Sequence, residues 1–241
     1  MKQPIIYHLV DTAGEISAIV TSPIGQKSLV KAAVTIMKVN NRIEQVGFLD
    51  PYDAKTDCAR FRMMGEELSV NGLVAGAGLL MKRQKQTSIM LRSSIMNNLI
   101  TATLNNDFVN LQFPRSIVRS EINNTITFKG LTFLLLPSLP STSIVSLTQK
   151  QLLRKLAADN PASGLIYYQG SRIAPLLYVR ATNSYVWEQS CGSGSIAYAL
   201  YSGRKRIKQP SGEHVSTAIT NSNINYRTKA YIYKQTREVL I

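Results

Sequence analysis

The chain has 241 residues, 44% hydrophobic and 17% charged, the balance of a globular protein rather than a disordered one. Its net charge is +14, from 28 basic and 14 acidic residues, which raises the question of nucleic acid as a partner. No apolar run reaches the length of a membrane span; the longest, Leu131 to Leu139, is strand-sized and broken by Pro137.

The N-terminus, MKQPIIYHLVD, lacks the apolar centre of a signal peptide, and two cysteines make no disulfide framework. A cytoplasmic setting is therefore expected. The first predicted helix begins at Ser22 as N-cap, with Pro23 at its first position, and runs to about Asn40. Two strands follow, QVGFLD (Gln45 to Asp50) and ARFRMM (Ala59 to Met64), around a turn at PYDAKTD. A loop, EELSVN, leads into a small helix from Gly72 to about Lys82, then into the β-rich segments TSIMLRSS, LITATLNN and FVNLQF.

A second pass of the same order starts after Ser146. A helix through QKQLLRKLAAD stops before Pro161, and GLIYYQ and APLLYVRA form a hairpin around GSRI. A loop, EQSC, opens a small helix from Gly194 to about Ser202, and HVSTAITNS, INYRTKAYIYK and EVLI read as strands. The basic clusters MKRQK (Met81 to Lys85) and GRKRIK (Gly203 to Lys208) each follow a predicted small helix, where cations suit the negative end of its dipole. No aromatics interleave with them, so no specific nucleic-acid partner is expected.

The two halves are an internal repeat. EELSVNGLVAGA (Glu66 to Ala77) aligns without gaps on EQSCGSGSIAYA (Glu188 to Ala199), pairing Glu66 with Glu188, Gly72 with Gly194, Ala75 with Ala197 and Ala77 with Ala199. Ser69 falls opposite Cys191. An α+β chain of two pseudo-twofold-related domains follows, residues 1–115 carrying the Ser69 loop and 116–241 the Cys191 loop. The two loops are expected to face each other across a cleft.

A thiolate at a helix N-terminus is stabilised by unpaired amides and the helix dipole, and Gly192, Ser193 and Gly194 let the backbone approach an anion. The only histidines, His8 and His214, lie outside any motif, which argues against a Cys–His hydrolase. No metal-ligand spacing and no dinucleotide fingerprint is present; AGAGLL (Ala75 to Leu80) lies inside a helix. Two proton carriers on opposite faces of one cleft suit inversion of a stereocentre, one removing a proton and the other delivering one.

At these residues the chain resembles the cofactor-independent amino-acid racemases and epimerases of the diaminopimelate epimerase fold, above all the histidine racemases of staphylopine-type metallophore biosynthesis. The resemblance rests on EQVGF (Glu44 to Phe48), GEELSVNG, the WEQSCGSG stretch from Trp187 to Gly194 and the QPSG turn from Gln209 to Gly212. It implies two domains, each a mostly antiparallel curved sheet around a central helix, and an isomerase that needs no cofactor or metal. Its partner would be a small amino-acid substrate, with no membrane, and a homodimer is one assembly to expect. Carried over by position, Cys191 and Ser69 would be the acid–base pair, and Asn71, Gly72, Glu188, Gly192, Ser193 and Gly194 would bind substrate. Glu188 would meet an α-ammonium group.

The departures lie in the first half. The family places a cysteine, a glycine and an asparagine where this chain has Ser69, Val70 and Asn71, and a Gly–Asn pair where it has Gly14-Glu15. Val70 is expected to resist a backbone with positive φ. Two other readings stay open: a one-base lyase, and a non-catalytic relative that binds a small amino acid. Ser69 read as a plain N-cap, Cys58 as incidental, and Trp187 and Tyr198 as packing residues are the matching structural readings.

Overall fold

In the computed structural model, residues 3–53, 58–96 and 98–241 are described; part of the PYDAKTD turn lies outside them. The first half opens with the hairpin of β1 (Pro4–Thr12) and β2 (Glu15–Val20), closed by Ala13 and by Gly14 at φ +94. Helix α1 (Leu29–Val39) crosses to β3 (Gln45–Leu49), which pairs parallel with β2 and antiparallel with β4 (Cys58–Met63). Helix α2 (Val70–Gln84) makes the next crossover to β5 (Ser88–Ser93), again parallel. Strands β6 (Leu99–Asn105) and β7 (Phe108–Pro114) complete this half as a meander.

The second half repeats the pattern. Strands β8 (Val118–Ile122), β9 (Thr125–Phe128) and β10 (Leu131–Pro137) lead to α3 (Leu147–Leu156) and β11 (Ala162–Gln169), which pairs parallel with β10. Then come β12 (Arg172–Val179), β13 (Ser184–Trp187), α4 (Gly192–Ser202) and β14 (Arg206–Lys208), with β12 and β14 parallel. Strands β15 (His214–Ile219), β16 (Asn223–Lys229) and β17 (Tyr231–Leu240) end the chain. The duplication read from two short motifs thus extends to the order of strands, helices and parallel crossovers.

Each half bends its strands around one buried helix. In α2, every residue from Val70 to Met81 is buried, and glycine or alanine at 72, 75, 76, 77 and 78 lets the strands close in. A Cβ on Gly76 would lie 2.8 Å from the Phe61 ring, so the small residue sets the helix–sheet distance. In α4, Gly192 to Ala199 are buried in the same way. The outer helices α1 and α3 are amphipathic covers.

Three expectations need correction. The first helix does not start at Ser22: a 3-10 turn at Gln26–Ser28 precedes α1, and the Ser22 hydroxyl instead accepts from the amide of Ile6. The segment INYRTKAYIYK is not one strand. It breaks at Ala230, where the amide donates to Asp107 O, and β17 crosses to pair with β1. Strand β16 meanwhile pairs with β7, so the sheet runs continuously from one half into the other. Finally, Val70 has no positive φ; it is the first helical residue of α2.

Candidate active site

Ser69 and Cys191 are the N-caps of α2 and α4, with nearly matching backbones: φ −118, ψ 111 for Ser69 and φ −135, ψ 104 for Cys191. Each side chain accepts from the amide three residues on, Ser69 Oγ from Gly72 N at 2.9 Å and Cys191 Sγ from Gly194 N at 3.2 Å. This satisfies one of the four orphan donors of each helix and fixes the cap atom.

The two helix ends are stitched together. The Ser193 hydroxyl accepts from Val70 N and donates to Leu68 O, both at 3.2 Å, and Asn71 Nδ2 donates to Ser190 O at 3.0 Å. A Cβ on Gly192 would stand 2.7 Å from Asn71 Oδ1 and 2.8 Å from Val70 Cγ1, so glycine is required where Val70 faces it. The turn Gln209–Gly212 braces the junction from below. Gln209 Oε1 accepts from Cys191 N at 2.9 Å, Ser211 Oγ donates to Ala13 O at 2.6 Å, and Ser211 N donates to Gln189 O at 3.0 Å.

Between the helix ends lies a pocket of about 520 Å³ of inter-atomic space, little of it wide enough for water, so the jaws are shut. Ser69, Asn71, Glu188, Cys191, Gly192 and Ser193 all line it. Gly72 and Gly194 do not. Their amides are consumed by the two caps, and their faces pack against Met63 and Phe61, and against Ile166. Trp187 packs on Tyr167 at 5.8 Å between ring centres, and the Tyr198 hydroxyl donates to Gly170 O; neither lines the pocket.

Three further carboxyls reach the pocket: Glu15, Glu44 and Glu67. With Glu188 they make four, and no lysine, arginine or histidine is among the lining residues. In the sequence Glu15 stands out only as a departure from the family pattern and Glu44 only within a motif. The repeat pairs Glu66 with Glu188, but Glu66 sits exposed at φ +60, bonded to Gln26, while its neighbour Glu67 turns inward. Among the described residues, no three His, Cys, Asp or Glu side chains converge as a metal-binding group.

Crowded carboxyls in a closed space cannot all ionise easily. Burial, then the charges of Glu188 and Glu44, push Glu15 well above the usual carboxylate range. Desolvation raises Glu44 and Glu67 to about 7 and Glu188 to about 8. Cys191 is held well above a normal thiol by burial and by the neighbouring carboxyl of Glu188; the Gly194 amide pulls the other way but loses. The resting site is therefore rich in protons. A cation placed in it lowers every one of these pKa values at once.

The fold is that of cofactor-independent racemases, epimerases and related isomerases. A hydroxyproline epimerase from Agrobacterium vitis superposes with a TM-score of 0.65 at 12% identity, over 100% of this chain and 94% of that one. A phenazine biosynthesis protein of the PhzF family from Enterococcus faecalis gives 0.63 at 13% identity, over 99% and 100%. The sequence profile of the histidine racemase CntK N-terminal domain matches residues 10–230, and the chain belongs to that family. It is an isomerase of the racemase and epimerase class. A histidine racemase from Fusobacterium nucleatum subsp. nucleatum is 26% identical over 234 residues, covering 84% of each chain. No helix among the described residues is long and apolar enough to cross a membrane.

Proposed function

We propose that the protein inverts the α-carbon of a small free amino acid with a cationic side chain, histidine first, and that Cys191 is one of its proton carriers. The observation that carries this reading is the thiol of Cys191 at the N-terminus of α4, 2% exposed and held by the Gly194 amide at 3.2 Å, inside a closed pocket lined by four carboxyls and no cation. The histidine racemase activity named for the relative in F. nucleatum supports the substrate class.

The substrate carboxylate is matched by the Gly192 and Ser193 amides in the first turn of α4, with Asn71 beside them. The α-ammonium is matched by Glu188. Its arrival favours ionised carboxyls, and an anionic Glu188 accepts the thiol proton more readily. Removal of the α-proton leaves an electron pair that spreads into the substrate carboxylate, where helix-end amides stabilise it. Exclusion of water by the shut jaws strengthens each of these interactions. The division at residues 1–115 and 116–241 belongs to this reading, since the jaws must part to admit substrate. So do a cytoplasmic setting, which suits a chain with only two cysteines, and a homodimer, which light scattering would test.

The test is proton exchange. In D2O, wild-type protein given L-histidine should release D-histidine carrying deuterium at the α-position, detected by chiral separation and mass spectrometry. Absence of α-deuteration with histidine, lysine, arginine and the remaining proteinogenic amino acids would remove this function.

A further inference from the structure

Cys191 serves one face of the substrate, and the opposite face needs a carrier too. Ser69 is the counterpart by position, but its bonding does not suit the task. Its lone pair takes the Gly72 amide at 2.9 Å, and its proton goes to Gln45 Oε1 at 2.6 Å. The Gln45 carboxamide is itself held by Nε2 donating to Ser17 Oγ at 2.9 Å and to Glu15. An amide oxygen is neutral and cannot take the proton that the hydroxyl must lose to become an alkoxide, whereas Cys191 shares the pocket with the carboxyl of Glu188 three residues before it.

We propose that Glu15 is the proton carrier on the face opposite Cys191, and that Ser69 and Gln45 are residues that position it. The inference rests on the racemase reading above. Three observations single out Glu15 among the four carboxyls. It lines the pocket and is 1% exposed. It is bonded at the Ser69 end of the cleft: one oxygen accepts from Asn71 Nδ2 at 2.6 Å, the other from Gln45 and from the Ser17 hydroxyl at 3.4 Å. All three donors are neutral, so no fixed cation ties its charge. The other carboxyls lie elsewhere: Glu44 on the Gln189 amide beside the Cys191 turn, Glu67 on Gly65 N, and Glu188 in the Cys191 turn itself.

The hairpin explains how Glu15 arrives there. Gly14 at φ +94, its amide bonded to Asp11 Oδ1 at 2.6 Å, closes β1 onto β2 so that Glu15 is the first residue of β2. A Cβ on Gly14 would stand 2.3 Å from Ser211 Cβ, so the hairpin tip presses against the turn that also braces Cys191. Both carriers are therefore registered to one another through Gln209–Gly212.

The step balances as one proton taken and one given. For one enantiomer the Glu15 carboxylate breaks the Cα–H bond and becomes a neutral acid, and the electron pair passes into the substrate carboxylate. The Cys191 thiol then forms the new Cα–H bond from the other side and is left as a thiolate. The other enantiomer runs the same steps in reverse.

The test uses full-length protein and each enantiomer of the amino acid that wild type racemises, in D2O. Glu15→Gln should slow racemisation by ~100-fold or more in both directions. It should still wash deuterium into the enantiomer whose α-proton faces Cys191, with configuration retained, and not into its mirror image. Ser69→Ala should slow racemisation less than about tenfold, as loss of a positioning cap. Circular dichroism and thermal unfolding check both folds, and Glu15→Asp, which keeps the carboxyl, should recover part of the lost exchange. A one-handed exchange pattern in Ser69→Ala would overturn the assignment, as would equal loss of α-deuterium exchange from both enantiomers, with a raised KM, in Glu15→Gln. If wild type racemises nothing, the racemase reading itself falls, which is a separate result.

Discussion

The turns at Ser69 and Cys191 share backbone, cap geometry and position in the repeat, yet differ in what stands beside the cap atom. The carboxyl of Glu188 lines the pocket with Cys191, whereas Ser69 donates its proton to the neutral amide of Gln45. They differ also one residue on, where Val70 faces Gly192. The lesson is that symmetry of fold does not carry symmetry of chemistry. A helix N-terminus fixes where a cap atom sits, but its neighbours decide whether it can exchange a proton.

The strongest way to break the comparison is to remove the thiol. Cys191→Ala should lower racemisation by at least ~10³-fold, read as α-deuterium in the product enantiomer. Nothing on the Ser69 side should compensate.

The Val70–Gly192 contact gives the next largest effect. Gly192→Ala inserts a Cβ 2.7 Å from Asn71 Oδ1 and should cost about 1–3 kcal/mol by forcing the helix ends apart. Adding Val70→Ala should recover only part of that loss, since it removes the Val70 Cγ1 contact at 2.8 Å and leaves the Asn71 contact in place. Chemical unfolding of the two variants checks both statements.

Glu67→Gln sharpens the role of burial. In wild type burial holds the Glu67 proton up to about pH 7, against 4.5 for a free glutamate side chain. The stability this group contributes is thus fully present below about pH 4.5 and is lost as pH rises through 7. Glu67→Gln should therefore match wild type in acid and melt a few degrees higher, roughly 2–6 °C, at pH 8.5. Scanning calorimetry across that pH range reads the difference.

The smallest effect lies away from both turns. Ser146 and Gln149 form a reciprocal capping box at the start of α3. Ser146→Ala should cost about 1 kcal/mol in thermal unfolding and leave the direction and rate of exchange as they are.

The sequence by itself determined the repeat, the α+β order of elements and, to within two residues, the starts of α2 and α4, read at Gly72 and Gly194 and found at Val70 and Gly192. These are local: caps, turn residues and hydrophobic periods act over a few positions, so α3 begins at its cap and α2 and α4 begin behind Ser69 and Cys191. Ser22 misled because its hydroxyl has a better partner in the Ile6 amide of a distant strand. Only the tertiary structure decided that positions 15, 44, 67 and 188 share one pocket, that Gly72 and Gly194 lie behind the caps, and that β17 returns to β1. The physical reason is that a carboxyl's chemistry here comes from desolvation and from like charges brought close by the fold. Neither is a property of the chain segment that carries it.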